Sequence, residues 1–381
     1  MTGAPLSDAY VLKCSRCGRR YPVDSLVWRC ECGSPLDLVS TVGASELYLE
    51  RTKGGRSSMY EYVELLPVDP ERVVSLGEGC TPIVERDYRG VELHLKLEYL
   101  NPTGSFKDRG ASLMISHLAS LGLREIVEDS SGNAGAAVAA YSSAAGIKCK
   151  IFVPAHAPGA KLAQIRAYGA EVVVVEGDRE KVAEEARSAA ARSYYASHLW
   201  NPFFVEGIKT ISYEALEQAG YVSVVLAPVG SGGLALGLYK GFREAREAGI
   251  VDSIPRLYGV QAESCAPVYE MLHGGLEVAA REGPPLADGI AVPSPPRKRQ
   301  VAEAIKESRG DVVLVSDSEI ASALRKLARW GFLVEPASAT ALAALDKLVD
   351  SGEVDRGERA LVPLTGTGLK TIDRISLILG R

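Results

Sequence analysis

Cysteine is scarce in this 381-residue sequence, with seven in all, far below the density of a secreted disulfide scaffold. No run approaches the ~18 uninterrupted apolar residues of a membrane-spanning helix, so a protein built on such helices is excluded. Neither charge sign dominates. Forty-three Lys and Arg stand against 48 Asp and Glu, a formal net charge of −5, which gives no global attraction to nucleic acid. The 38 Gly and 20 Pro follow no fixed period, which excludes collagen. Residues Met1 to Asp8 show no basic stretch leading into an apolar one, so no secretory signal is expected, and the expected compartment is cytoplasmic and reducing. Membrane and nucleic-acid partners are not expected; a small-molecule partner is.

What is present is the composition of a globular chain, 46% hydrophobic and 24% charged. At roughly 150 residues per domain the length suits two or three units. From Val73 onward, strand-like apolar runs alternate with Ala-rich helical patterns. Strands are expected at Glu92–Leu97, Glu125–Asp129, Cys149–Val153, Glu171–Val175, Ser223–Pro228, Leu257–Gln261, Asp311–Val315 and Ala360–Pro363. Helices are expected at Ser105–Leu121, Asn133–Ala145, Gly159–Tyr168, Arg179–Ser193, Thr210–Ala219, Ala235–Ala248, Asp317–Arg329 and Ser338–Leu348. Such alternation marks parallel sheets covered by helices, an α/β class. Residues 283–299, with five prolines, read as a loop.

Four of the seven cysteines fall within nineteen residues. Cys14 and Cys17 form C-x2-C, and Cys30 and Cys32 form C-x-C. Thiolates from two facing turns suit a tetrahedral Zn²⁺, and four of them leave no open position for catalysis. A structural metal unit is expected. Its basic residues Lys13, Arg16, Arg19, Arg20 and Arg29 read as a solvated face.

The sharpest segment is Asn101-Pro-Thr-Gly-Ser-Phe-Lys107-Asp-Arg-Gly110. Its first four residues are turn chemistry. Lys107 follows in the first turn of a helix, beside Phe106. Apolar surroundings and a positive helix terminus both depress a lysine pKa, and a neutral amine is what a Schiff base requires. Two further loops each follow a strand and open a helix: Ser130-Ser131-Gly132-Asn133 and Gly230-Ser231-Gly232-Gly233-Leu234. Free helix amides favour an anion there, and glycine lets the backbone approach a phosphate without a Cβ clash. No P-loop and no dinucleotide fingerprint is present.

Ser105-Phe106-Lys107-Asp108-Arg109-Gly110 resembles the pyridoxal-phosphate (PLP) lysine motif of the tryptophan-synthase-like, fold type II enzymes. The Lys-Asp-Arg-Gly variant is most similar to that of the archaeal-type threonine synthases. Gly77-Glu-Gly-Cys-Thr-Pro82, Asn201-Pro202 to Thr210, Glu335-Pro-Ala-Ser-Ala339 and Leu364-Thr365-Gly-Thr-Gly-Leu-Lys370 agree in order. The resemblance implies two doubly wound parallel-sheet domains with a small N-terminal zinc-knuckle unit. The boundaries expected are 1–40 for that unit, 41–74 for a connector, 75–208 for the domain of the Schiff-base lysine and substrate loop, and 209–381 for the domain of the phosphate loop.

The resemblance further implies PLP on Lys107, flanked by Phe106 and Asn133. Its phosphate would lie in the Gly230, Ser231, Gly232, Gly233, Leu234 loop, and its ring nitrogen would meet the Thr365 hydroxyl. Substrate would meet Ser130, Ser131, Gly132, Asn133 and Lys209, and Zn²⁺ would sit on Cys14, Cys17, Cys30 and Cys32. The implied reaction turns O-phospho-L-homoserine and water into L-threonine and phosphate, in a homodimer.

Three segments depart from that family, one of them Ala134-Gly135 where a Thr-Ala pair is common. Where many threonine synthases carry N-S-V-N-P-x-R to hold the substrate phosphate, this chain has His198-Leu-Trp-Asn-Pro-Phe-Phe204. An apolar side chain cannot replace bidentate phosphate recognition, so His198, Lys161, Lys209 or Arg166 would have to compensate. The string Ala287-Asp-Gly-Ile-Ala-Val292 is similar to that of serine and threonine dehydratases. A dehydratase, or a β-replacement enzyme using O-phosphoserine, are the alternatives.

Overall fold

A computed structural model describes residues 6–40, 57–155, 159–177, 179–275 and 285–380. Residues 41–56 of the expected connector, residues 283–284 of the proline loop and residues 1–5 lie outside the described residues.

Three sheets organise the chain. The larger parallel sheet runs in the order Val312–Val315, Arg256–Ala262, Val224–Pro228, Arg359–Pro363, Val91–Lys96 and Ile83–Tyr88. Only its last pair is antiparallel. The second sheet has four parallel strands, Glu171–Val175, Lys148–Pro154, Glu125–Glu128 and Tyr194–Tyr195. The third is a small antiparallel sheet of Arg20–Pro22, Tyr10–Cys14 and Leu36–Ser40. Val224–Pro228 is buried at every position, as expected of a central parallel strand covered on both faces.

The strand–helix alternation read from the sequence is present throughout. The division at residue 208 does not follow the sheets. The 83–96 hairpin joins the larger sheet, where Arg359–Pro363 pairs with Val91–Lys96, so the chain crosses between the two bodies at the Asn101–Gly104 turn. The hairpin pairs with a strand more than 260 residues away, a partner that local patterning does not reveal. The expected loop also ends early, because a helix starts at Lys298.

Helix starts differ in a way that positions the site. Asn201 accepts the Phe203 amide and is followed by Pro202, and Ser316 closes a capping box with Glu319, both standard starts. The helices Lys107–Ser120, Asn133–Ala144 and Gly233–Glu247 have no side-chain cap. In the first of these, backbone carbonyls take the place of a side-chain cap: the Asp108 amide donates to Ser105 and the Arg109 amide to Phe106. Glycine also sets how closely elements pack. A Cβ on Gly110 would lie 2.4 Å from the Phe204 ring, and one on Gly207 would lie 2.0 Å from the Arg109 carbonyl. These two glycines let the lysine helix and the Pro202–Ile208 helix touch backbone to backbone.

Candidate active site

The three uncapped helices open onto one cavity of about 240 Å³ between the two parallel sheets. It is lined by Phe106, Lys107, Ser130–Ala134, Gly230–Gly232, Leu234 and Thr365, together with Lys161, Arg179, His198, Glu335 and residues 288–292. Parallel α/β folds assemble their sites at such strand C-termini.

Lys107 is the first residue of its helix. Its ammonium lies 4.3 Å from the Phe106 ring centroid. Burial pushes its pKa down to about 8, against the opposing pull of Glu128 and Glu335. The Phe106 amide donates to the Thr365 carbonyl at 3.1 Å, and Ser105 bridges to Gly366. These contacts pin the lysine turn against the Leu364–Lys370 loop, across the two sheets. Asp108 accepts the Thr103 amide at 2.6 Å and the Thr103 hydroxyl, and burial raises its pKa to about 7. It locks the preceding turn onto the helix.

At one end of the cavity lies the glycine loop. Gly232 has φ +88°, where a Cβ would sit 2.3 Å from Val301, and a Cβ on Gly230 would sit 2.8 Å from the Ile290 backbone. Gly233 opens a fifteen-residue helix behind it. The combination is a glycine-rich anion cradle with no room for side chains at positions 230 and 232. The Thr365 and Ser338 hydroxyls are 2.7 Å apart and bring no formal charge. Ser338 is not the helix cap its position suggests. Glu335 holds that place without a side-chain bond, and the Ser338 hydroxyl instead accepts the Gly366 amide at 3.1 Å. A phosphate cradle, a buried hydroxyl pair and a low-pKa amine in one cavity fit PLP.

Asn133 is engaged at both ends. Its amide donates to Glu335 Oε2 at 2.6 Å, and its oxygen accepts from Lys370 Nζ at 2.9 Å. Lys161 is 3.4 Å from Glu335 and 3.9 Å from Asp288. These pairs tie the two sheets across the cavity mouth.

The cavity wall also holds a cluster that the sequence reading does not assemble. Glu128 ends its strand fully buried, with Asp129 next to it. Glu128 Oε1 is 2.7 Å from His198 Nδ1. Arg179, the first residue of its helix, reaches Asp129 Oδ2 at 2.9 Å and lines the cavity. The available signal is positional: Glu128 and Arg179 each follow or end a strand on the edge where parallel sheets build sites.

One expectation fails. Lys209 does not reach the cavity. It is buried and ion-paired at 3.0 Å to both Glu206 and Glu244. Phe204, 1% exposed, packs on Gly110, so the family's phosphate-clamp position turns into the core here. Of the four compensating cations considered, Lys161 and His198 line the cavity, and Lys209 and Arg166 do not.

The cysteine unit stands apart. The four Sγ atoms of Cys14, Cys17, Cys30 and Cys32 lie within 4.8 Å of one another. Cys14–Cys32 is 3.5 Å and Cys17–Cys30 is 3.6 Å. A tetrahedron of ~2.3 Å Zn–S bonds has edges of about 3.8 Å, so the geometry fits such an ion. The Tyr21 hydroxyl donates to Cys30 Sγ at 3.2 Å, an outer contact of the kind that orients ligands. No described helix is long and apolar enough to cross a membrane.

The fold and the cavity define a class, and comparison with known proteins agrees. Residues 74–366 match the family of pyridoxal-phosphate dependent enzymes, and the chain belongs to that family. Among named relatives, the threonine synthase of Methanocaldococcus jannaschii is 35% identical over 376 residues, covering 95% of this chain and 93% of that protein. The threonine synthase of Mycobacterium bovis is 37% identical over 322 residues, covering 82% and 88%. Among solved structures, a threonine deaminase from T.th. is 30% identical with TM-score 0.63, covering 75% of this chain and 92% of that one.

Proposed function

We propose that this chain is a threonine synthase, a PLP-dependent lyase that converts O-phospho-L-homoserine and water to L-threonine and phosphate. The observation that carries the reading is Lys107: an amine with a pKa near 8, in a cavity with a glycine-rich anion cradle and an uncharged hydroxyl pair. The relatives so named span nearly the whole chain.

In this reading Lys107 holds the cofactor, Gly230–Leu234 receive its phosphate, Phe106 and Asn133 flank it, and Thr365 meets its ring nitrogen. When bound, PLP supplies the electron sink for the bond broken at Cα. Lys107 removes the Cα proton, and its position beside the substrate is the catalytic advantage. The amides of Ser130, Ser131, Gly132 and Asn133 receive the substrate carboxylate. Thr365, a hydroxyl rather than a carboxylate, does not keep the ring nitrogen protonated. That restraint favours elimination and replacement at Cβ and Cγ over transamination. Arg179 and Lys161, at the cavity wall, replace the displaced phosphate clamp. Cys14, Cys17, Cys30 and Cys32 hold a structural Zn²⁺. The enzyme acts as a cytoplasmic homodimer, C₂ being the commonest oligomer symmetry.

A second reading, threonine or serine dehydratase, is favoured by Asp288–Val292, which line the cavity. One assay separates them. PLP-loaded protein is given O-phosphohomoserine and threonine in turn, with phosphate, threonine and 2-oxobutanoate measured. Phosphate release with threonine formation is the expected result. 2-Oxobutanoate from threonine, with O-phosphohomoserine inert, overturns it in favour of the dehydratase.

A further inference from the structure

We propose that His198, positioned by Glu128, is a second acid–base group of this site, carrying a proton between Cβ and Cγ of the substrate while Lys107 serves Cα. The inference rests on the threonine synthase reading and deepens it.

That reaction moves protons at three substrate carbons. O-Phosphohomoserine loses a proton from Cα and one from Cβ, and the Cγ–O bond breaks with its electron pair leaving on phosphate. Cγ then gains a proton and becomes the methyl group. Water gives its hydroxyl to Cβ and its remaining proton to the departed phosphate, and Cα is reprotonated. The Cβ proton and the Cγ proton balance each other, so one carrier that takes the first and returns it as the second completes the sequence.

His198 has the geometry of such a carrier. It lines the same cavity as Lys107, and its ring carries only 10% exposure. Glu128 holds it twice: Oε1 lies 2.7 Å from Nδ1, and Oε2 accepts the His198 amide at 3.1 Å. Nδ1 is therefore committed, and Nε2 is the nitrogen left for the cavity. The Phe204 ring, 5.8 Å away edge-on, closes one flank. With Glu128 ionised and the ring proton on Nδ1, Nε2 accepts a proton. Once it has done so, the pair is neutral overall and Nε2 donates. A carboxylate orienting an imidazole in this way is a recurrent acid–base device.

The surroundings hold the pair near electrical neutrality. The charged and titratable groups facing the pair are Lys107, Asp129, Arg179, Tyr195 and Cys149. Burial, then Asp129, pushes Glu128 well above the usual carboxylate range despite Arg179. Burial, then Lys107, pushes the His198 ring well below its ordinary value. The buried pair thus resists a net charge of either sign: the neutral form holding one proton is favoured, and the negative form that has given it up takes one back readily.

The test uses the PLP-loaded enzyme and O-phosphohomoserine deuterated at Cβ. In the wild type, part of the deuterium is expected in the methyl group of threonine. In His198→Asn that transfer is lost and kcat falls about 100-fold or more, with KM changed less than about threefold. Exchange of the Cα hydrogen of threonine with D₂O, the task of Lys107, survives. In Glu128→Gln the hydrogen bond at Nδ1 persists but its charge cannot change, so kcat falls at least about tenfold and the acid limb of its pH profile moves. Wild-type kcat and label transfer in His198→Asn would overturn the proposal. So would a methyl group free of substrate deuterium in the wild type, or an unmoved pH profile in Glu128→Gln. If the wild type leaves O-phosphohomoserine untouched, the threonine synthase reading falls instead. The pair is then judged by ¹⁵N resonances of the His198 ring in the holoenzyme: a titration shifted by Glu128→Gln supports it, and an identical one overturns it.

Discussion

Two sets of buried charge lie within one fold, and they are built oppositely. In the first, Arg109 meets Glu98 at 2.7 Å and Glu214 at 2.5 Å, and Lys96 meets Glu214 at 2.7 Å, every side chain at most 1% exposed. Burial alone would raise the Glu214 carboxyl, but Arg109 and Lys96 hold it well below the usual range. In the second, among the described residues Lys107 has an aromatic ring at 4.3 Å rather than a carboxylate partner, and Glu128 faces an imidazole. The first set is compensated and keeps its charges fixed. The second is left undercompensated, so burial pushes Lys107 down and Glu128 up, both toward the range in which protons move near pH 7, and pushes the His198 ring below it. Arg109 is only two residues from Lys107, so the scaffold that fixes the helix adjoins the group that reacts.

The largest expected effect is loss of the reactive member of the second set. Lys107→Ala should reduce turnover at least about 10³-fold and remove the visible absorbance of the lysine-bound cofactor. The thermal midpoint of the cofactor-free protein should hold or rise, because an undercompensated buried amine is removed. Retained absorbance after borohydride treatment and dialysis would break the assignment of Lys107.

Next comes the compensated set. Arg109→Ala leaves Glu98 and Glu214 buried with too little positive charge and should cost about 3–5 kcal/mol in urea unfolding. Glu128→Gln, in the other set, should change stability by no more than about 1 kcal/mol, since that carboxyl already tends toward its neutral form. Similar losses in the two variants would erase the distinction between the sets.

The two sets also differ in how legible they are in the sequence. The expected site residues that line the cavity lie in contiguous strings: the lysine turn, the Ser130–Asn133 loop, the glycine loop and Thr365. Each carries its own signal, as turn chemistry, glycine freedom or helix opening. The Glu128, His198 and Arg179 cluster is assembled from three separate strand and helix ends, and no local pattern announces it. Phe204 stands at a motif position that suggests the cavity, yet Gly110 admits it to the core. Lys209 carries a warning: Glu206 stands three residues earlier on a helical stretch, the spacing of an intrahelical pair. The hairpin at 83–96 escapes its expected domain because strand partners over 260 residues apart leave no trace in periodicity.

A smaller effect is expected at the cysteine unit, which lies outside both sets. Arg297, 3% exposed, donates to the Leu36 and Trp200 carbonyls at 2.7 Å and so ties this unit to the catalytic body. With zinc bound there, chelation should lower the thermal midpoint by several degrees while turnover of the surviving enzyme stays within about twofold. Equal losses of both would make the metal part of the catalytic machinery.

The smallest effect is a pH dependence of stability. In the cofactor-free protein the Lys107 pKa is lowered by burial from 10.5 to about 8. Between those values the unfolded chain holds a proton that the folded chain has released. Stability therefore rises with pH across that window, and below pH 8 the full penalty of charging a buried amine applies. Lys107→Met removes the titrating group and should flatten the slope of the unfolding free energy between pH 8 and 10.5 relative to wild type. In the compensated set, burial also lowers Lys96 despite Glu214, so part of the slope remains in Lys107→Met. An unchanged slope in Lys107→Met would mean that its amine is solvated in the folded chain, and the contrast between the two sets would then rest on Glu128 and His198 alone.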